Sequence, residues 1–258
     1  MGLVSDKMAI VATDAILLKK AELRETSLLL DFYTEESGKI KGVLKGVRSP
    51  QPQFGALFEV FTLDRIVFYE RKNKDIFIIS QCELIDFFPN LRKDLEKLGY
   101  ASYYTELIDS ALGPGERNKE IFNLLLDSLK LLSQPGSAKR ITRVFEIKLL
   151  KALGMMPRLK TCINCGNEIL PSNTRFSIKD GGILCNQCFK IDVKAKPVLA
   201  GTLNFIDRVA ETPMERVSRI KVSKDVGKGV ESILRDFLDF HIDRRSKTIG
   251  FMQEVGVL

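Results

Sequence analysis

Four cysteines constrain this chain more than any other feature of it. They stand as Cys162-x2-Cys165-x19-Cys185-x2-Cys188. Two residues between cysteines let both sulfurs turn inward on one tight knuckle, and two knuckles complete a tetrahedron around Zn²⁺. Gly166, directly after the first pair, permits the positive φ that such a turn favours. Between the pairs, residues 174–178 and 183–185 flank Lys179-Asp180-Gly181-Gly182, which reads as a hairpin presenting the second knuckle. Four thiolates leave no open position for water, so one structural zinc is expected rather than a catalytic one. The site would carry a formal charge near −2, and Arg158, Lys160, Lys190 and Lys194 are placed in sequence to offset it. The same four residues read equally as part of a nucleic-acid surface. The fifth cysteine, Cys82, lies in a strand-like stretch and reads as a core thiol.

On either side of this module the apolar period differs. Up to residue 87, short runs rich in β-branched and aromatic residues recur between polar breaks, predicting strands at 8–19, 26–33, 39–47, 58–69 and 76–85. Five short strands fit a small closed barrel; an OB-fold leads, and an SH3-like barrel would give nearly the same pattern. After Pro89 the period becomes helical. Leu91, Leu95, Leu98, Ala101 and residues 104–107 form one stripe. Asn118 is placed to cap a second helix, and residues 138–153 form a third, stopped by Gly154 and Pro157. Residues 199–210 and 226–242 also read as helices. The expected fold is therefore α+β and multidomain: a five-stranded OB-fold barrel over 1–87, a helical bundle domain over 88–157 and 193–258, and an inserted Cys₄ zinc module over 158–192.

Charge has to be located rather than totalled. The formal net charge is +7, yet residues 1–80 hold 12 basic and 11 acidic side chains, so no domain is globally basic. The segment from Gly38 to Arg48 is the best local candidate. Alternation places Lys39, Lys41 and Lys45 on one face and Ile40 and Leu44 on the other, with no acidic residue before Arg48. Gly42 and Gly46 would let a nucleic-acid backbone approach. A solvated edge strand is the alternative reading. Arg71, in the next basic loop, joins this set by charge. A second patch lies on the helix before the first knuckle, where Arg140, Arg143, Lys148 and Lys151 cluster on one side and Ile141, Phe145, Leu149 and Leu153 fall mainly opposite. Val144 and Ile147 border the basic side. Such a surface suits an acidic peptide with apolar anchors as well as it suits DNA, and a solvent-facing stripe is the plain alternative. Phe54, Phe58, Phe61, Phe68 and Tyr69 are available for base stacking but are expected mostly to fill the barrel.

Catalytic constellations are missing from the sequence. His241 is the single histidine, and no Ser–His or Cys–His pairing with a positioned acid is suggested. Gly227-Lys228-Gly229 lacks the spacing and the Ser or Thr of a phosphate-binding loop. Binding, rather than enzymatic turnover, is the expected chemistry. No apolar run approaches the roughly 20 residues of a membrane span, residues 1–20 lack a secretory layout, and paired cysteines in a metal pattern suit a reducing compartment, so the cytoplasm is expected.

In combination these segments resemble the RecO family of bacterial recombination mediators. The resemblance runs through Glu25-Thr26-Ser27-Leu28-Leu29-Leu30, Thr34 to Lys39, Lys45-Gly46-Val47-Arg48-Ser49 and Gly55-Ala56-Leu57. It continues from Phe145 through Gly154 into the Cys-x2-Cys-Gly knuckle, and ends at Phe240-His241 and Arg245 to Thr248, where the Lys-Ser order is altered. It implies an OB-fold binding single- and double-stranded DNA, a helical domain with structural zinc, and annealing of complementary strands without ATP. It further implies partnership with RecR, contact with the acidic, apolar tail of single-stranded-DNA-binding protein, help in placing RecA on coated strands, and a nucleoid-associated, cytoplasmic life. By position, Lys39, Lys45 and Arg48 match the family's basic strand and loop, while Arg140 and Arg143 lie where a tail-binding groove would fall; Lys41 and Arg71 rest on charge and geometry alone. Two other classes fit the residues: an RNA-binding or translation-associated factor with a zinc ribbon and an OB-fold, and a scaffold binding only proteins.

Overall fold

The computed structural model describes residues 9–23, 25–47, 58–70, 75–169, 174–217, 220–242 and 246–258. The chain forms two compact units, residues 1–136 with 247–258, and residues 137–246. Strands β1 (Ala9–Leu23), β2 (Ser27–Thr34), β3 (Gly38–Leu44), β4 (Leu63–Glu70) and β5 (Ile76–Asp86) precede helices α1 (Leu95–Ala111) and α2 (Lys119–Ser133). Helix α3 (Ala138–Ala152) leads to short strands β6 (Arg175–Ser177), β7 (Gly182–Leu184) and β8 (Lys196–Pro197). Helices α4 (Ala200–Glu211), α5 (Met214–Val217), α6 (Lys224–His241) and α7 (Lys247–Glu254) complete the order.

In the first unit the five strands close a barrel in the order β1-β2-β3-β5-β4. Every neighbouring pair is antiparallel except β3 with β5, which is parallel. This Greek-key crossing is the route of the OB-fold, and it decides what strand count alone left open. Strand β1 is long because it serves two neighbours: Ala9–Ile16 pairs with β4 and Ala15–Leu23 with β2, the register shifting between Leu17 and Lys19. Alternation sends Leu30, Phe32, Ile40, Leu44, Ile66, Phe68 and Ile79 into the interior. Each such side chain stabilises the fold by about 1.5–3 kcal/mol relative to exposure. Residues 58–62, expected to open the fourth strand, do not join it. Phe61 takes φ 68° and donates its amide to the Leu17 carbonyl, and β4 starts only at Leu63.

Helices α1, α2 and α7 belong to the barrel's unit. The Asp94 carboxylate caps α1 through the amides of Glu96 and Lys97, and the Asn118 side chain caps α2 through the Ile121 amide. Glu106 on α1 accepts from the Lys247 and Thr248 amides and so caps α7. A methyl group on Gly99 would fall 2.6 Å from Met252 Cε, so the small residue admits close α1–α7 packing. Residues 92–111 and 119–133, grouped with the later helices on periodicity, therefore pack in the same unit as the strands; Gln134-Pro135-Gly136 separates them from α3.

In the second unit α3 packs on α4 and α6. Gly229, in the segment Gly227-Lys228-Gly229, finds its use here. A Cβ on Gly229 would lie 2.6 Å from Thr202 Oγ1, and one on Gly201 would lie 2.8 Å from Val226 Cγ2, so α4 and α6 meet at a crossing that a larger residue would open. The sheet β7-β6-β8 lies against α6, with Phe176 edge-on to Phe237 at 6.0 Å. His241 is a packing residue: its Nε2 lies 2.9 Å from the Ile178 carbonyl and its ring 4.1 Å from that of Phe237. No helix among the described residues is long and apolar enough to cross a membrane.

Candidate functional site

The four paired cysteines converge. The sulfurs of Cys162, Cys165, Cys185 and Cys188 all lie within 4.8 Å of one another, a cluster that can hold a metal ion. A tetrahedral centre with metal–sulfur bonds of about 2.3 Å requires sulfurs about 3.8 Å apart. Cys165 and Cys185, from different knuckles, stand at 3.9 Å. The first knuckle is built by the Gly166 amide donating to the Cys162 carbonyl, with Gly166 at φ 74°, and the second by the Cys188 amide donating to Cys185. Strand β7 ties them together, since Ile163 donates to Ile183 and Ile183 to Arg158. Gly182 permits this, because a Cβ there would press 2.5 Å from Ile163 Cγ2 and 2.8 Å from the Arg158 carbonyl. Burial opposes the Cys162 thiolate, but the amides of Cys165, Cys185 and Asn164 aim at its sulfur and hold its pKa down at about 6. Asn164 Nδ2 donates to Cys188 Sγ at 3.3 Å. Amide donors to sulfur suit a centre of net negative charge.

Lys39 and Lys41 of β3 alternate with inward residues and Lys45 stands just past the strand's end, but the two strand lysines are not unopposed. Ile40 and Leu44 point inward, while Lys39 is half-buried and Lys41 and Lys45 are exposed. Lys39 donates to the Asp109 carbonyl at 2.7 Å and pairs with its carboxylate, which Lys19 shares. Although burial raises it, the two lysines together hold the Asp109 carboxyl below its ordinary pKa. Lys41 sits opposite Asp31 in the β2–β3 register and 3.5 Å from its carboxylate. The groove of about 870 Å³ beside Lys39 and Lys41 is also lined by Glu36, Glu70 and Asp75. Only Lys45 of the three has no carboxylate within ion-pair distance among the described residues. Gly42 does not admit a ligand either. A Cβ there would meet Ile79 Cδ1 at 2.5 Å inside the barrel, so this glycine serves the core, whereas Gly46, at φ 74° with open space around it, is a turn residue. Arg48 and Arg71 lie outside the described residues, as does Phe54.

Of the aromatics, Phe58, Phe61 and Phe68 are buried, and Tyr69 is half-exposed on the outer face. It stands in register between Ile10 and Ile78, and Ile78 in turn opposes Val43. The Cys82 thiol packs against the barrel interior, and burial, with Asp64 nearby, pushes its pKa far up and keeps it protonated.

The basic side of α3 is not an open surface. Arg143 is 5% exposed and pairs with the fully buried Glu146 at 3.0 Å, and Val144 and Ile147 are buried as well. Arg140 donates to the carbonyls of Val217 and Ile220. Lys148 reaches the Ala210 carbonyl at 3.0 Å and the Thr212 carbonyl at 2.6 Å, and Lys151 reaches Ala210 and Glu211. Two lysines thus satisfy orphan carbonyls at the C-terminus of α4, where the helix dipole favours positive charge. The sequence held no signal that the end of α4 would engage Lys148 and Lys151, or that Val217 and Ile220 would engage Arg140.

Comparison with known proteins bears on the whole chain. The family model described as "Recombination protein O N terminal" matches residues 8–88, and "Recombination protein O C terminal" matches residues 92–248. Among similar curated proteins is one named DNA repair protein RecO from Pelotomaculum thermopropionicum, 33% identical over 249 residues that cover 96% of each chain. Proteins of the same name from Desulforamulus reducens and Alkaliphilus metalliredigens are 31% and 30% identical; the first alignment covers 96% of both chains, the second 91% of this chain and 95% of its relative.

Proposed function

The chain belongs to the RecO family of DNA repair proteins, and we propose that it acts within that family as a non-enzymatic mediator of recombination. On this reading it binds single- and double-stranded DNA through the barrel, anneals complementary strands without ATP, and works with RecR to place RecA on strands coated by single-stranded-DNA-binding protein. The acidic, apolar tail of that coating protein is a further proposed partner, and the cytoplasm, at the nucleoid, is the proposed location. One observation carries the reading: a closed OB barrel presenting on its outside the half-exposed Tyr69 and an exposed Lys45 that no carboxylate among the described residues opposes.

The proposed mechanism is passive. Lys45, with Lys41, Lys39, Arg48 and Arg71 as further phosphate contacts, lowers the repulsion between two polyanionic strands so that base pairing proceeds unaided. Phosphate contacts carry no sequence code, so affinity is expected to vary little with sequence. Tyr69 offers a π-face for a base. At the cysteine cluster, one Zn²⁺ is proposed to be held by Cys162, Cys165, Cys185 and Cys188. Bound there, it supplies a cross-link that fixes the two knuckles.

A strand-annealing assay tests this reading. The chain should accelerate pairing of complementary oligonucleotides without nucleotide cofactor, also on strands coated with single-stranded-DNA-binding protein, and less when that protein lacks its terminal tail. Failure to accelerate annealing of bare strands would overturn it. Stronger binding to structured RNA than to single-stranded DNA would favour an RNA-binding factor instead.

A further inference from the structure

The four sulfurs of the cysteine cluster share a site but not a surrounding. Cys162 is fully buried beside Leu184 and Ala195, and three backbone amides aim at its sulfur. Cys185 and Cys188 are half-buried and pack against the same apolar cluster. The exposed Asn164 side chain reaches across from the first knuckle and donates to Cys188 Sγ at 3.3 Å. Cys165 differs from all three. It is exposed, and so are Asn164, Gly166, Asn167 and Glu168 beside it in the chain, so no apolar side chain of that turn covers it. Among the described residues no amide donates to its sulfur.

Exposure and donors decide how a thiolate reacts. A sulfur that accepts amide hydrogen bonds shares its charge with the donors and attacks an electrophile less readily, while a buried one is not reached. By both measures Cys165 is the reactive corner of the cluster. Cys185 Sγ, from the other knuckle, stands 3.9 Å away, where a second thiolate can resolve a first oxidation. The backbone bond from Ile163 to Ile183 joins the two knuckles through peptide groups, so their proximity does not rest on a metal alone. Cys188 is buried to the same degree as Cys185 but is tied to Asn164.

We propose that Cys165 is an oxidation site, that hydrogen peroxide converts Cys165 and Cys185 to a disulfide between the knuckles, and that Asn164 keeps Cys188 out of the reaction. The Cys165 thiolate attacks one peroxide oxygen; the O–O bond breaks, hydroxide leaves and a sulfenic acid remains on Cys165. The Cys185 thiolate then attacks the Cys165 sulfur, the S–O bond breaks and a second hydroxide leaves. Two thiolates have given two electrons to one peroxide. Sulfurs joined in this way no longer hold Zn²⁺, and the ion is released. The inference rests on the zinc reading above and on nothing that the barrel does.

The test treats the full-length, zinc-loaded chain with hydrogen peroxide, blocks the remaining thiols with N-ethylmaleimide and maps tryptic peptides by mass spectrometry. A chromogenic chelator follows zinc release in parallel. Cleavage after Lys160, Arg175, Lys179 and Lys190 puts Cys162 and Cys165 on one peptide and Cys185 and Cys188 on another. The expected product joins these two peptides through Cys165 and Cys185, with zinc lost in step. Asn164→Ala should release zinc roughly fivefold faster and bring Cys188 into the products, because one donor to sulfur is gone. Should that variant fail to hold zinc, the peptide map of the unaltered chain decides by itself. A chain that binds no zinc before treatment would overturn the metal reading and this inference together. Bound zinc with disulfides confined within each knuckle, first oxidation at Cys162 or Cys188, or an unchanged rate in a zinc-loaded Asn164→Ala, would overturn this inference alone.

Discussion

Strand β3 and helix α3 each carry a basic face, and the fold treats the two oppositely. On β3 the lysines stay at the surface and meet carboxylates: Asp31 across the strand pair and Asp109 from α1. On α3 the cations are drawn toward backbone carbonyls and a buried partner, Glu146. The first face loses part of its charge but keeps its access to solvent, and no carboxylate among the described residues opposes Lys45. The second is tied to carbonyls and to the carboxylates of Glu146 and Glu211, and gives up much of its access. A basic stripe in a sequence therefore indicates a binding surface only when both accessibility and local neutrality are known.

The comparison can be broken most decisively at Glu146. If α3 is a buried structural element, Glu146→Ala leaves Arg143 buried without its carboxylate and should cost about 3–5 kcal/mol of stability. Denaturant titration of the chain reads this directly, and a loss below 1 kcal/mol would return α3 to the surface. Asp64 sharpens the contrast from the barrel's side. Burial, partly offset by the Thr62 hydroxyl, raises its pKa from 3.8 to about 6. The folded state then holds a proton that the unfolded chain releases, so stability falls as pH rises from about 4 to about 6. Asp64→Asn should raise stability at pH 7 by about 2–3 kcal/mol and change little at pH 4; thermal melts at the two pH values check it.

Smaller effects separate the individual lysines. Lys148→Met keeps the aliphatic stem but abandons two carbonyls, and should cost about 1–2 kcal/mol with no change in DNA affinity. Lys39→Ala should cost about 1 kcal/mol, since its pairing with Asp109 is only partly buried. Lys45→Ala should leave stability within about 0.5 kcal/mol. Its effect belongs to binding alone.

Much of this was legible in the residues, and the exceptions share a cause. The knuckles, the hairpin between them, the five strands and the cap at Asn118 follow local rules of spacing and turn chemistry, and the structure has them. Closure of the barrel through a parallel β3–β5 pair is a long-range outcome, so strand count left two barrels standing. The ladder from Lys39 to Arg48 has no acid within it, yet Asp109 arrives from 70 residues away. Gly42 looked like a place for a backbone to approach because nothing in sequence names Ile79 as its neighbour. Helix α7 is short and finds its partner through Glu106 and Gly99, far back along the chain.

The salt dependence of oligo(dT) binding, measured for the unaltered chain and for Lys45→Ala, tests the barrel's role most directly. With about four phosphate contacts, log affinity should fall against log salt with a slope near −3, and the variant's slope should be shallower by about 0.7. A flat slope, or one that Lys45→Ala leaves unchanged, would contradict DNA binding by this face.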